Sequence, residues 1–87
     1  GCVYFIFSEE NDAIKIGFTT TPVEKRLSSL QTAHPYPLEL LANIPGNRDY
    51  EASLHKRFAR FRLQGEWFQA HPELLDFIAV ISEGNEG

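Results

Sequence analysis

The sequence has little cysteine and no long hydrophobic run, and each shortage excludes a class of protein. Cys2 is the only cysteine, so an internal disulfide cannot form, and one cysteine with three histidines does not make the common zinc motifs. No stretch approaches the roughly 20 apolar residues that a membrane-spanning helix needs. The apolar run from Cys2 to Phe7 is too short for a signal peptide. We therefore expect a cytoplasmic protein that is not secreted and has no membrane partner.

Basic residues are absent from both ends of the chain. All eight lysines and arginines lie between Lys15 and Arg62, where four acids leave a net charge of +4. The flanks carry −8, which makes the whole chain −4. A basic middle between acidic ends is compatible with local phosphate binding. Because affinity for nucleic acid rises with the number of phosphates neutralised, we expect this domain alone to bind it weakly.

Three segments have the alternating or wholly apolar pattern of strands and are bounded by turn-forming residues: 3–7, 13–18 and 38–44. The first two, joined by a short polar loop, predict a hairpin. Three further segments predict helices. In the first, Thr21 is the predicted N-cap and Glu24 completes a capping box. The second runs from Asn47 or Asp49 to about Arg62, and the third begins at 71–72.

The predicted order of elements is therefore β-β-α-β-α-α. It indicates an α+β fold with a three-stranded, mostly antiparallel sheet flanked by helices. The length of 87 residues is that of one domain. We expect residues 82–87, which are polar, to form a flexible tail, and the segment 65–68 to be a connecting corner.

Five short elements follow one another along the chain. They are Cys2-Val3-Tyr4, Lys15-Ile16-Gly17, Glu24-Lys25-Arg26-Leu27, the pair Glu51 and His55, and Gly65-Glu66-Trp67-Phe68. Together they resemble the GIY-YIG nuclease superfamily over residues 3–77, and more closely the phage-type branch whose second motif reads Lys-Ile-Gly. The resemblance implies a metal-dependent endonuclease domain that hydrolyses phosphodiester bonds. It also implies further domains of a longer chain, since many such proteins carry a separate DNA-recognition part.

The resemblance implies chemical roles for Tyr4, Arg26 and Glu51. Glu51 is the expected ligand of Mg²⁺ or Mn²⁺, since hard divalent ions take oxygen ligands; by itself it is equally a first-turn acid favoured by the helix dipole. Arg26 can hold two phosphate oxygens with its planar guanidinium, or be an ordinary solvated arginine. The Tyr4 hydroxyl can touch the attacking water or the phosphate, or simply pack in the sheet.

The roles of Lys15, His55 and Glu66 stay open at this point. Lys15 can stabilise phosphate charge, act as a base or be a solvated strand lysine, and we favour the first. His55 lies one helical turn after Glu51 and is either a base, a group that orients water, or a helix histidine with a backbone partner. Glu66 either supports or binds a metal or is a structural acid. Gly17 is expected to leave room for close approach of backbone or phosphate.

Half of the positive charge falls within seven residues, at Lys56, Arg57, Arg60 and Arg62. This cluster is either a phosphate-binding stripe beside the site or an ordinary solvated helix face. We predict a nucleic-acid partner, DNA in preference to RNA, and hence association with the nucleoid or nucleus as an alternative to the cytoplasm. The competing hypotheses are a catalytically inactive module of the same fold that binds nucleic acid or protein, and a structural adaptor without nucleic acid.

Overall fold

The structure is a computed structural model that describes residues 1–84. Its elements are β1 (Cys2–Ser8), β2 (Ala13–Thr19), α1 (Val23–Thr32), β3 (Leu38–Pro45), α2 (Arg48–Arg57), a 3₁₀ turn (Ala59–Phe61), β4 (Arg62–Gln64), β5 (Trp67–Gln69) and α3 (Pro72–Gly84). Within the described residues, no helix is both long and apolar enough to cross a membrane. The α+β class and the first three strands are as the sequence predicts.

The sheet has five strands in the order β3-β1-β2-β5-β4, and every neighbouring pair is antiparallel. The prediction of three strands was wrong, because residues 62–69 form a hairpin instead of a helix end and a corner. The hairpin turns at Gly65, whose φ of +57° lies in the left-handed region that glycine adopts without steric cost. β5 then pairs with the first half of β2 and extends the sheet.

Helices cover both faces of the sheet, because successive strand residues point to opposite faces. Val3 and Phe5 of β1 enter the larger core, where α2 contributes Leu54 and α3 contributes Leu74. Their neighbour in the chain, Tyr4, points the other way and packs with α1 in a smaller core. The strands are therefore fixed from both sides.

The start of α1 differs from the prediction. Pro22 occupies the N-cap position and no side chain caps the helix. Thr21 does not reach the helix, because its hydroxyl lies 2.9 Å from the Thr19 hydroxyl and forms a hydrogen bond with it. The predicted capping box with Glu24 therefore does not form.

The second helix begins as predicted but ends earlier. Asn47 caps α2, since its side-chain oxygen accepts a hydrogen bond from the Tyr50 backbone N–H at 2.9 Å. The helix stops at Arg57 rather than near Arg62. The 3₁₀ turn that follows still places Phe61 in the core. The apolar spacing of the sequence therefore continues past the end of α2, which is why it predicted a longer helix. α3 runs through Gly84 and overlaps the start of the predicted tail, whereas residues 85–87 lie outside the described part.

Candidate functional site

The site forms where β2 continues past the end of its neighbour β5. β5 pairs with β2 only from Ala13 to Lys15, and the last backbone hydrogen bond runs from the Ile16 N–H to the Glu66 carbonyl at 3.0 Å. On this side, no described strand pairs with Gly17. Two acid-bearing segments reach this edge of β2, namely α2 and the turn between β4 and β5.

Tyr4 lies on β1, the strand that flanks β2 on the side away from β5, and it reaches the same part of β2. It is paired with Gly17 in the register between β1 and β2, and its ring lies directly over that glycine. A Cβ atom at Gly17 would collide with both the ring and the hydroxyl of Tyr4. The space that Gly17 leaves is thus filled by the tyrosine, and not by backbone or phosphate as the sequence suggested.

Glu51 is the most buried acid at this edge, and its side chain is only 12% exposed. Its Oε2 atom is fully buried and has no hydrogen-bond partner. One donor atom from each of Glu51, His55 and Glu66 lies within 4.8 Å of the others. Burial raises the pKa of Glu51, the adjacent Glu66 carboxyl raises it further by hydrogen bonding and by charge, and His55 and Arg48 lower it. A buried carboxylate oxygen without a hydrogen-bond partner is costly, and a cation at Oε2 would remove that cost.

His55 is held by the backbone of β2. Its Nε2 atom lies 2.9 Å from the Ile16 carbonyl oxygen and 3.9 Å from Glu51 Oε2, and its ring meets Phe68 edge to face at 5.1 Å. A carbonyl oxygen only accepts hydrogen bonds, so Nε2 must carry the proton and donate. This nitrogen is then not available as a base. Of the three alternatives for His55, the contact fits the histidine with a backbone partner, which positions β2 against α2.

Lys15 and Glu66 form an ion pair at the rim of the site. The Lys15 Nζ atom lies 3.0 Å from Glu66 Oε1 and 5.6 Å from the centre of the Trp67 ring. The Glu66 side chain is 41% exposed, so it can exchange partners with water or an ion. The ion pair places the Lys15 charge beside the Glu66 carboxylate, and a chemical role for Lys15 stays a prediction.

Tyr4 and Arg26 interact electrostatically with this cluster. Burial raises the pKa of Tyr4 above its ordinary value of 10.0, Glu66 raises it further, Arg26 lowers it, and Glu51 raises it. The hydroxyl therefore keeps its proton near neutral pH and can donate a hydrogen bond. Arg26 lies on α1 and is exposed, so its guanidinium is free to meet a phosphate at the edge of the site.

These residues fit a hard divalent cation. The unpartnered Oε2 of Glu51 and the exposed carboxylate of Glu66 are oxygen donors of the kind that Mg²⁺ and Mn²⁺ prefer. Mg²⁺ usually keeps several waters and needs only one or two carboxylates. His55 Nε2 is occupied by the Ile16 carbonyl, so the two acids would hold the ion.

Three of the four basic residues after Glu51 make contacts within the domain. Arg57 lies over the Phe77 ring with its guanidinium carbon 4.6 Å from the ring centre, and Arg60 forms an ion pair with Glu73 of α3. Arg62 donates a hydrogen bond from Nε to the Gly65 carbonyl at 2.8 Å, whereas Lys56 is exposed. Binding of nucleic acid by this cluster stays a prediction.

Arg48 was missed by the sequence reasoning. It lies three residues before Glu51 on α2, and its charge lowers the pKa of that acid. The guanidinium carbon lies 5.1 Å from the centre of the Phe18 ring. The spacing of three residues, which places two helical side chains on one face, was the available signal.

Comparison with known proteins identifies a domain family. No curated protein and no solved structure matches the chain. The T5orf172 domain matches it over residues 1–82, which is nearly the whole sequence. The residues that converge on the edge of β2 all fall inside this range, and the chain belongs to the T5orf172 domain family.

Proposed function

We propose that this domain is a divalent-metal-dependent endonuclease of the GIY-YIG type, with DNA as the favoured substrate. Membership of the T5orf172 family supports a nuclease-related or DNA-binding module. The observation that carries the proposal is the buried, unpartnered carboxylate oxygen of Glu51 beside a second acid, Glu66. A binding module would gain nothing from that arrangement, which costs stability in the absence of a cation.

The two acids are the proposed ligands of Mg²⁺ or Mn²⁺. When bound, such an ion supplies positive charge to the phosphate and lowers the pKa of a coordinated water. Lys15 neutralises Glu66 when no metal is present and lies close enough to contribute charge to the phosphate afterwards. We assign it charge stabilisation rather than proton abstraction.

Tyr4 and Arg26 are the proposed contacts to the phosphate. The Tyr4 hydroxyl keeps its proton, because burial and the neighbouring acids raise its pKa, and it can donate to a phosphate oxygen or to the attacking water. The planar guanidinium of Arg26 can hold two phosphate oxygens and offset the charge that builds up during cleavage. His55 acts through position, since it fixes the Ile16 carbonyl and with it the edge of β2.

The test is nicking of supercoiled plasmid DNA, with a structured RNA as the second substrate, in Mg²⁺, in Mn²⁺ and in chelator. The parent protein should nick DNA only with metal. Glu51→Gln, which keeps the shape but removes the charge, should slow nicking at least about 100-fold. Glu39→Gln, at an exposed acid on β3, is the matched control and should cut like the parent.

The competing function is a catalytically inactive module that binds nucleic acid. It would be supported by a folded parent protein that binds DNA but cuts neither substrate under any metal condition. Equal cleavage by the parent and Glu51→Gln would contradict the proposed metal ligand, and cleavage in chelator would contradict the metal requirement.

A further inference from the structure

An open cavity of about 300 Å³ is lined by residues from the end of β2, from α1 and from the start of α2. Its polar lining residues are Lys25, Arg26, Arg48, Thr19, Thr20, Thr21 and Ser29. None of the residues that line it is acidic. The whole chain has a net charge of −4, whereas this cavity is lined by three cations and no acid. The cavity is therefore locally positive and favours an anion.

Two elements build this cavity and hold its cations apart. Lys25 and Arg26 are adjacent on the first turns of α1, whereas Arg48 comes from the start of α2 and stacks on the Phe18 ring. The loop between them is ordered, because the Thr21 N–H donates to the Thr19 hydroxyl oxygen at 3.1 Å. Cations from two elements together with several hydroxyl groups suit an anion with several acceptor oxygens.

Two residues connect the cavity with the proposed site. Arg26 lines the cavity and is itself a proposed contact to the phosphate. Arg48 also lines it and lies three residues before Glu51 on α2, a spacing that places two side chains on one face of a helix. An anion in the cavity would therefore lie close to the phosphate held by Arg26.

We propose that this cavity binds the phosphate that neighbours the cleaved one in the nucleic-acid backbone, with Lys25 and Arg48 as its main contacts. The inference rests on the proposed function and deepens it, since it defines the substrate as a chain of at least two phosphates. The alternative basic surface is the cluster after Glu51, but there Arg57 packs on an aromatic ring and Arg60 already has an acidic partner.

The test measures binding without cleavage. A fluorescein-labelled DNA oligonucleotide is titrated in chelator at several KCl concentrations, and fluorescence anisotropy gives the affinity and its salt dependence. Lys25→Gln and Arg48→Gln should each weaken binding to a similar extent for different sequences and reduce the slope of log K against log salt by about one. Lys56→Gln removes the same charge from the exposed face of α2 and is the charge-matched comparison.

The outcomes separate the inference from the proposed function. A larger loss in Lys25→Gln and Arg48→Gln than in Lys56→Gln supports the inference, even if the parent never cuts plasmid DNA. Equal losses in all three variants, or a parent that does not bind at low salt, overturn it. If the parent cuts and the two cavity variants bind like the parent, the inference fails and the nuclease proposal stands. Melting curves of each variant confirm that these exposed substitutions leave the fold intact.

Discussion

Replacing Glu51 with glutamine should make the metal-free protein more stable. The Glu51 side chain is 12% exposed and its Oε2 atom has no hydrogen-bond partner. The charges of His55 and Arg48 do not offset this burial, since the pKa of Glu51 is raised. An unsatisfied buried polar group costs about 1–3 kcal/mol. Glutamine keeps the shape, carries no charge and can donate a hydrogen bond to Glu66. We expect a gain of about 1 kcal/mol, which raises the melting temperature of a domain this small by roughly 4–8 °C.

The gain should depend on pH in a defined direction. Because burial raises the pKa of Glu51 above its ordinary value of 4.5, the folded protein keeps a proton that the unfolded chain has lost. The stability of the parent therefore falls as the pH rises from 4.5 through the raised pKa, and above that the whole penalty is present. The glutamine variant has no such penalty, so its advantage should be small near pH 4.5 and full at neutral pH.

The assay is thermal unfolding followed by circular dichroism in chelator across this pH range. Glu39→Gln is the control, since this acid is exposed on β3. Equal melting temperatures of the parent and Glu51→Gln at neutral pH would refute the reasoning. So would an advantage that is largest at the acidic end, because the penalty would then not come from the ionised carboxylate.

Three further variants test how the site is assembled. Gly17→Ala should displace the Tyr4 ring, lower stability by about 1–3 kcal/mol and abolish nicking. Tyr4→Phe keeps the buried ring and removes the hydroxyl, so it should melt close to the parent and lose nicking; unchanged nicking would remove the Tyr4 hydroxyl from the mechanism. His55→Gln loses or weakens the hydrogen bond to the Ile16 carbonyl, which should lower the free energy of unfolding by about 0.5–1.5 kcal/mol. Nicking should become slower but remain measurable. A loss of nicking as complete as in Glu51→Gln would mean that the imidazole takes part in the reaction itself.

Long elements of the fold could be predicted from sequence because their patterns repeat several times. Strand β1 and strand β2 each have seven residues; β1 was recognised as an apolar run and β2 by its alternation. β4 and β5 have three residues each, which is too short for a period to be visible. Gly65 at the turn between them was the one local signal, and a glycine between two short segments also fits a plain loop.

The site was predictable only in part, because one of its acids lies in the hairpin formed by the short strands β4 and β5. The resemblance in the motifs supplied Tyr4, Arg26 and Glu51, and the structure brings all three to one edge of β2. The contact between Glu51 and Glu66 depends on the β4–β5 hairpin, so it could not be inferred while that segment was interpreted as a corner. Arg48 belongs to no motif, and its spacing of three residues from Glu51 was the only signal in the sequence. That it lines a cavity together with residues of α1 could be seen only in the structure.

Binding of Mn²⁺ followed by electron paramagnetic resonance tests the proposed metal centre most directly, because protein-bound Mn²⁺ loses the sharp signal of the free ion. The parent should take up one ion per chain, and the Glu39→Gln control should do the same. Glu51→Gln should leave the free signal almost unchanged. Equal uptake by the parent and Glu51→Gln, or no uptake by the parent, would contradict a cation held between Glu51 and Glu66.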